Sequence, residues 1–254
     1  MTDIDKWMEN YKKLMLETFG GRVWFIGIQG SRGRGEAEEN SDIDVVLILD
    51  RLLQDDLFIY EKAVSKLPER KLLCGFVSGL SELSNWDRAD LFQFCHDTED
   101  IFGSLNDLRL SVKRQDAERA AHSGACNIYH GLIHNMLHEK SHEILQGLFK
   151  QAGFVLRAVY FCENGIFLKR RDELVSAFEG DEKKIAELSD RKRFLKIFNM
   201  TEAADPHITS VFCGQSSIAA ENADTHEDDE YCGRTFCELS ALLMGWAKGI
   251  IERY

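Results

Sequence analysis

Long apolar runs are missing from this sequence. No stretch reaches about 18 consecutive apolar residues, the minimum for a membrane-spanning helix. The first residues, MTDIDKWMENYKK, have neither the basic start nor the apolar core of a secretory signal. We therefore expect a cytoplasmic protein that does not associate with membranes.

Paired cysteines and clustered basic residues are also missing. The seven cysteines are odd in number and show no repeated C-x-x-C spacing, so reduced thiols are expected rather than a disulfide framework or a zinc knuckle. The net charge of -12 argues against general nucleic-acid binding, because contacts to phosphates need clustered Lys and Arg. An acidic surface suits a cationic partner, and it equally suits ordinary solubility.

The first half of the chain alternates between helical and strand patterns. Apolar residues at helical spacing predict a helix over the first 19 residues and another over Leu52–Lys66. Short apolar runs rich in β-forming residues predict four strands: Val23–Gln29, Asp44–Leu49, Lys71–Val77 and Ala89–His96. This alternation is typical of a mixed β-sheet flanked by helices.

After residue 111 the pattern is helical. An apolar stripe at spacings of three and four residues runs from Ala125 to Phe149, and further helices are predicted over Phe154–Gly165, Asp181–Phe198 and Thr235–Arg253. We expect an α+β protein with a sheet domain over residues 1–110 and an all-α bundle over residues 111–254 that binds substrate or partner.

One poorly patterned tract interrupts the predicted bundle. Thr201–Gly233 contains Pro206 and the acidic run Glu221–Glu230, and it is predicted to be a long surface loop. The acidic run either attracts a polyamine-like acceptor or is an ordinary solvated segment, and the second interpretation is favoured because blocks of like charge are usually solvated.

The stretch that carries chemistry is GSRGRGEAEENSDIDVVLILD, which begins at Gly30. In a strand, residues i and i+2 point to the same face, so Asp42 and Asp44 project together while Ile43 points into the core. Neighbouring carboxylates repel each other unless a cation lies between them, and Mg²⁺ is held in this way by one or two carboxylates plus substrate phosphates. The pair therefore predicts a metal site.

A phosphate site is predicted beside it. Gly30 and Ser31 end the preceding strand, where free backbone N–H groups and a hydroxyl can hold a phosphate. Arg32 and Arg34 follow directly and can neutralise a triphosphate, although arginines in such a loop are as often merely solvated. A metal next to a triphosphate is an arrangement for phosphoryl or nucleotidyl transfer.

These residues resemble a known signature. A GS pair, ten residues, and DID at the head of an apolar strand look like the motif of the nucleotidyltransferase superfamily typified by DNA polymerase beta. The sequence is similar to the small bacterial nucleotidyltransferases and aminoglycoside adenylyltransferases over its first 110 residues. The resemblance implies an N-terminal nucleotidyltransferase domain with a mixed sheet and flanking helices, followed by a helical bundle.

The resemblance also implies roles for individual residues. Gly30 and Ser31 would contact the phosphates of ATP, the co-substrate, and Asp42 and Asp44 would bind Mg²⁺. A third carboxylate from a later strand would complete a site for two Mg²⁺ ions and serve as the base, and Asp90 in RADLFQF matches that position best. Asp97, at the far end of the same predicted strand, is the alternative.

A competing motif lies in the second half. His138–His142 spells H-E-x-x-H on a predicted helix, which is typical of zinc hydrolases, and His130 and His134 extend the row. Each step of four residues turns about 40° around a helix, so all four histidines cannot converge, although neighbours could share a metal. A zinc hydrolase also needs a third ligand, so solvated histidines are the favoured interpretation.

The favoured hypothesis is an enzyme that transfers a nucleoside monophosphate, AMP from Mg-ATP, to a hydroxyl of a small, cationic, aminoglycoside-like acceptor with release of pyrophosphate. The alternative hypothesis is an antitoxin-type nucleotidyltransferase of a toxin–antitoxin pair, which binds and modifies a partner protein.

Overall fold

The computed structural model describes residues 2–198 and 225–254, with the side chains of the final helix described from Gly233 onward. The chain divides into two compact units, Met1–Asp116 and Ala117–Tyr254. In the described part of the chain, no helix has the length and apolar character needed to cross a membrane.

The first unit is built on a four-stranded sheet. Its strands are β1 (Val23–Gln29), β2 (Ile43–Leu49), β3 (Leu73–Gly79) and β4 (Glu99–Phe102). Their order is β3-β2-β1-β4, where β1 runs antiparallel to β2 and β4 while β2 and β3 are parallel. The helices around it are α1 (Ile4–Phe19), α2 (Gly30–Gly33), α3 (Gln54–Val64), α4 (Leu80–Ser84), α5 (Arg88–Asp97) and α6 (Asn106–Ser111). The predicted mixed sheet with flanking helices is confirmed.

The two faces of the sheet bury different sets of side chains. Along β2, Ile43, Val45 and Leu47 pack with apolar residues of α1 and α3. Val46 and Ile48 point the opposite way, into a cluster that also contains residues of α4 and α5. Because strand side chains alternate, the side chain of residue 44 belongs to the face that α4 and α5 cover.

One predicted strand is wrong. Ala89–His96 lies within helix α5, whose N-cap Asp87 accepts a hydrogen bond from the backbone N–H of Ala89 at 2.9 Å. Leu91 and Cys95, four residues apart, are both buried against the sheet, so the apolar run has a helical period that a short window conceals. The fourth strand is β4, which follows the helix and pairs with β1.

The second unit is helical, as predicted. Its helices are α7 (Arg114–His134, beginning in the first unit), α8 (His142–Asn164), α9 (Arg171–Ala177), α10 (Gly180–Leu188), α11 (Arg191–Ile197) and α12 (Thr225–Arg253), with a π-helical segment over Asn135–Glu139 between α7 and α8.

The predicted loop over Thr201–Gly233 is wrong in its last part. Residues 201–224 lie outside the described residues, whereas residues 225–233 belong to α12. Their acidic composition favours a solvated loop, but negative charge is also stabilising in the first turn of a helix, so the same residues suit the start of α12.

Candidate active site

The two aspartates lie at the start of β2. Asp44 is half-buried and pairs across the sheet with Gln29 on β1 and with Cys74 on β3. Asp42 is exposed, two residues earlier, and Ile43 between them is fully buried. Asp44 therefore lies near the start of the inner strand β2, on the face of the sheet that α5 covers.

The turn after β1 brings Gly30 against Asp44. Gly30 has a φ of 70°, a left-handed conformation that favours glycine. A Cβ added to Gly30 would lie 1.9 Å from Oδ2 of Asp44, so no larger residue fits there unless the carboxylate moves. The glycine of the GS pair and the second aspartate of DID, predicted as parts of one site, are neighbours in the structure.

The side chain of Arg32 makes hydrogen bonds within the protein. Its side chain is buried, and its guanidinium donates hydrogen bonds to the backbone carbonyl oxygens of Ser41 at 2.8 and 3.0 Å, Asp42 at 3.2 Å and Glu39 at 3.4 Å. These bonds fasten the loop that leads into β2. Arg32 therefore positions the loop that contains Asp42, and its contact with a triphosphate stays a prediction.

Replacing Arg32 with Lys should loosen this loop. An ammonium group cannot reproduce the planar fork that reaches several carbonyls at once, and a hydrogen bond from a charged donor contributes about 1.5–3 kcal/mol. We expect a free energy of unfolding lower by about 1–3 kcal/mol and a roughly tenfold higher requirement for the divalent ion, from urea unfolding and pyrophosphate release. Arg51→Lys, at an exposed position of the same unit, is the matched control and should change neither.

Arg34 is held by two acids. Nη1 donates to both carboxylate oxygens of Asp97, at 2.8 and 2.9 Å, and Nε donates to Glu36 at 3.2 Å. Burial opposes the charged form of this side chain, but Asp97 and Glu36 outweigh that effect and raise the pKa of Arg34. Arg34 thus stays charged next to the Gly30 turn, with its Nη1 and Nε donors occupied by protein carboxylates.

The structure separates the two candidates for a third carboxylate. Asp97, at the end of α5, reaches the Gly30 turn, where the backbone N–H of Gly30 donates to its Oδ2 at 3.5 Å. Asp90 is exposed in the first turn of the same helix, seven residues earlier, which is about 10 Å along the helix axis. The strand that placed Asp90 in the site does not exist, and the helix brings Asp97 there instead, paired with Arg34.

Sequence reasoning missed Cys74. Its side chain is exposed, and the residue is paired with Asp44 across the parallel strands β2 and β3. Loss of hydration and the negative charges of Asp44 and Asp42 raise the pKa of the Cys74 thiol above its usual value. The strand KLLCGFV was predicted, but only its parallel pairing with β2 shows which of its residues lies beside Asp44.

The residues fit one hard divalent ion better than two. Asp42 and Asp44 offer two carboxylates, and Mg²⁺ is commonly held by one or two carboxylates together with substrate phosphates and water. Among the described residues, no group of three or more His, Cys, Asp or Glu side chains is arranged to hold a metal ion. A second ion would lack its own protein ligands there.

The histidine row does not form a zinc-hydrolase motif. His138 lies in the π-helical segment, Lys140 has a φ of 49°, and His142 begins the next helix, so the two histidines of H-E-x-x-H stand on different helices. His142 is buried with its ring 4.5 Å from that of Phe198, and burial lowers its pKa. The rings of His134 and His138 are 5.0 Å apart on the exposed side.

At the edge of this sheet the Gly30 turn lies against the Asp44 carboxylate, and Asp42 lies two residues earlier in the chain. Residues 8–109 match the family model of the nucleotidyltransferase domain, and this range includes every site residue from Gly30 to Asp97. The first unit therefore carries a nucleotidyltransferase domain.

Two other comparisons add less. Among curated proteins, none matches the sequence significantly. Among solved structures, the chain is similar to the spectinomycin adenyltransferase AAD(9) from Enterococcus faecialis, determined with ATP and spectinomycin. That similarity has 10% sequence identity and a TM-score of 0.48, and it covers 92% of this chain and 99% of the other.

Proposed function

We propose that this enzyme transfers AMP from Mg-ATP to a hydroxyl of a small cationic acceptor and releases pyrophosphate. The observation that carries the proposal is the contact between the Gly30 turn and the Asp44 carboxylate at the edge of the sheet. This contact places the backbone that would bind phosphate beside the carboxylate that would bind the metal, and nucleotidyl transfer uses both.

The roles of the chain's residues follow from their contacts. The backbone and hydroxyl of Gly30 and Ser31 hold the phosphates, and Asp42 and Asp44 hold one divalent ion, which when bound neutralises charge on the transferring group. Arg32 keeps Asp42 in place through the loop carbonyls. The acceptor hydroxyl oxygen bonds to the α-phosphorus as the bond to pyrophosphate breaks, and the hydroxyl proton passes to solvent.

A cationic acceptor is the best match for the charge of the protein. The chain carries a net charge of -12, which raises the local concentration of cations and disfavours polyanions such as nucleic acids. We assign acceptor recognition to the helical second unit and expect an aminoglycoside-like compound with several hydroxyl and amino groups.

A substrate panel tests the proposal. Purified protein is incubated with Mg-ATP, or with GTP, CTP or UTP, and each of a set of aminoglycosides and simpler hydroxylated amines, while pyrophosphate is measured. We expect release that requires one acceptor class and is fastest with ATP. Release that is equal with and without every acceptor would contradict transfer to a small molecule, and label from [α-³²P]ATP on a protein would indicate a macromolecular acceptor instead.

A further inference from the structure

The Gly30–Ser31 turn is attached to the end of helix α5 by two successive contacts. The side-chain amide of Gln29, directly before the turn, donates to Oγ1 of Thr98 at 2.6 Å. The backbone N–H of Gly30 donates to Oδ2 of Asp97 at 3.5 Å. Both acceptor residues are buried, so water has little access to these contacts. The end of α5 therefore supports the turn.

Arg34 joins this support to the turn itself. Its guanidinium donates to both carboxylate oxygens of Asp97, at 2.8 and 2.9 Å, and to Glu36 at 3.2 Å. The backbone N–H of Arg34 donates to the carbonyl of Gly30 at 3.1 Å. The backbone N–H of Glu36 donates to the carbonyl of Ser31 at 2.8 Å. Each residue of the GS pair is thus tied by a backbone bond to this group of ion-paired side chains.

The ion-paired side chains are largely enclosed by the protein. Those of Arg34, Glu36 and Asp97 are 9, 12 and 11% exposed. The helix that carries Asp97 is anchored in turn, because Leu91 and Cys95 are fully buried against the sheet. A buried ion pair adds little net stability, since taking two charges out of water offsets their attraction. Its effect here is therefore sought in the arrangement that it fixes.

We propose that Asp97 and Arg34 are positioning residues for the nucleotide: their ion pair holds the Gly30–Ser31 turn in the shape that receives the phosphates of ATP. The inference rests on the proposed function for the location of the phosphates. Neither side chain binds the metal or moves a proton in this role, because both act through the backbone of the turn. Asp97 thereby has a use that differs from that of a third carboxylate on the metal.

Mg-ATP binding to the intact protein, without acceptor, is the test. Asp97→Asn keeps the size of the side chain and removes the charge that holds Arg34. We expect the Kd for Mg-ATP, from isothermal titration calorimetry, to rise about tenfold, which corresponds to the loss of one net hydrogen bond to phosphate. Magnesium tripolyphosphate, which offers the phosphates without adenosine, should weaken by the same factor.

Two results with Asp97→Asn would overturn the proposal. An unchanged Kd would show that the ion pair does not shape the phosphate site. A lower Kd would show that the Asp97 carboxylate competes with phosphate for the N–H of Gly30.

A double variant, Arg34→Gln with Asp97→Asn, covers the case in which the single variant does not fold. Removing one partner leaves a buried charge without its counterpart, whereas the double variant removes both charges of the pair. Its circular dichroism should match the wild type, and its Kd for Mg-ATP should also be about tenfold higher, because the two side chains act as a unit. Wild-type affinity in a folded double variant would contradict the assignment.

Asp56→Asn is the matched control. Asp56 is buried and accepts hydrogen bonds from Arg22 on both carboxylate oxygens, at 2.8 Å each. Arg22 directly precedes β1, so this pair lies at the end of the strand away from the turn. Urea stability should fall while the Kd for Mg-ATP stays unchanged. A rise in Kd equal to that of Asp97→Asn would overturn the proposal, because general destabilisation would then explain both.

The positioning role and the proposed function fail in different ways. If Mg-ATP binds and weakens as expected but no nucleotide is transferred, the proposed function fails while the positioning role stands. If transfer occurs and the Kd is unchanged in both variants, the positioning role fails alone. A wild type that binds neither Mg-ATP nor tripolyphosphate would overturn both.

Discussion

Asp44→Asn should abolish pyrophosphate release, with a fall in kcat/KM on the order of 10³-fold. Asn keeps the shape of the side chain but removes the charge that holds the divalent ion, and the lost stabilisation of several kcal/mol in the transition state corresponds to that factor.

Asp42→Asn should also lower pyrophosphate release. The double variant should be no less active than the weaker of the two single variants, because the two carboxylates act as a unit.

Asp90→Asn is the matched control for these variants. It makes the same chemical change at an exposed carboxylate of the same unit, outside the site. Activity within about twofold of the wild type is expected, since surface substitutions of this kind change little. A loss with Asp90→Asn as large as that with Asp44→Asn would mean that α5 does not hold Asp90 away from the reaction.

Gly30→Ala should cost both stability and activity. The left-handed φ of 70° strains any residue with a Cβ by about 1–2 kcal/mol, and the added methyl group would lie 1.9 Å from Oδ2 of Asp44. The carboxylate must move, which adds about 1–3 kcal/mol of overpacking and displaces a group that must be held accurately. A displacement of that size is expected to lower kcat/KM by about 10²-fold.

Gly35→Ala separates the two causes. Gly35 has nearly the same φ, 72°, but nothing lies within 4 Å of an added Cβ. This variant should lose about 1–2 kcal/mol in urea unfolding and keep its activity. If Gly30→Ala behaved like Gly35→Ala in both measurements, the close approach of the turn to Asp44 would have no role in catalysis.

The central strands of the sheet and the positions of its two aspartates could be predicted from sequence. Both depend on short-range patterns. One is an apolar run of β-forming residues, and the other is the alternation of strand side chains between the two faces, which buries Ile43 and turns Asp42 and Asp44 the other way. The GS turn could be predicted for a similar reason, because a glycine directly after a strand marks a turn.

The partners of those residues could not be predicted, because they come from distant parts of the chain. Arg34 and Asp97 are 63 residues apart and meet only because α5 returns over the sheet. Cys74 lies beside Asp44 only through the parallel register of β3, which no local pattern encodes. The sequence pattern predicts a strand in place of α5 because eight apolar-rich residues suit a strand or a helix equally well until their neighbours are known.

Mass spectrometry of the reaction products tests nucleotidyl transfer most directly. The protein is incubated with Mg-ATP and the acceptor that supports pyrophosphate release, and the acceptor's mass is compared with and without active enzyme. The account predicts a gain of one AMP per acceptor together with one pyrophosphate, and no gain with Asp44→Asn. A gain of a phosphate group with ADP as the other product would contradict it, because that outcome belongs to a kinase.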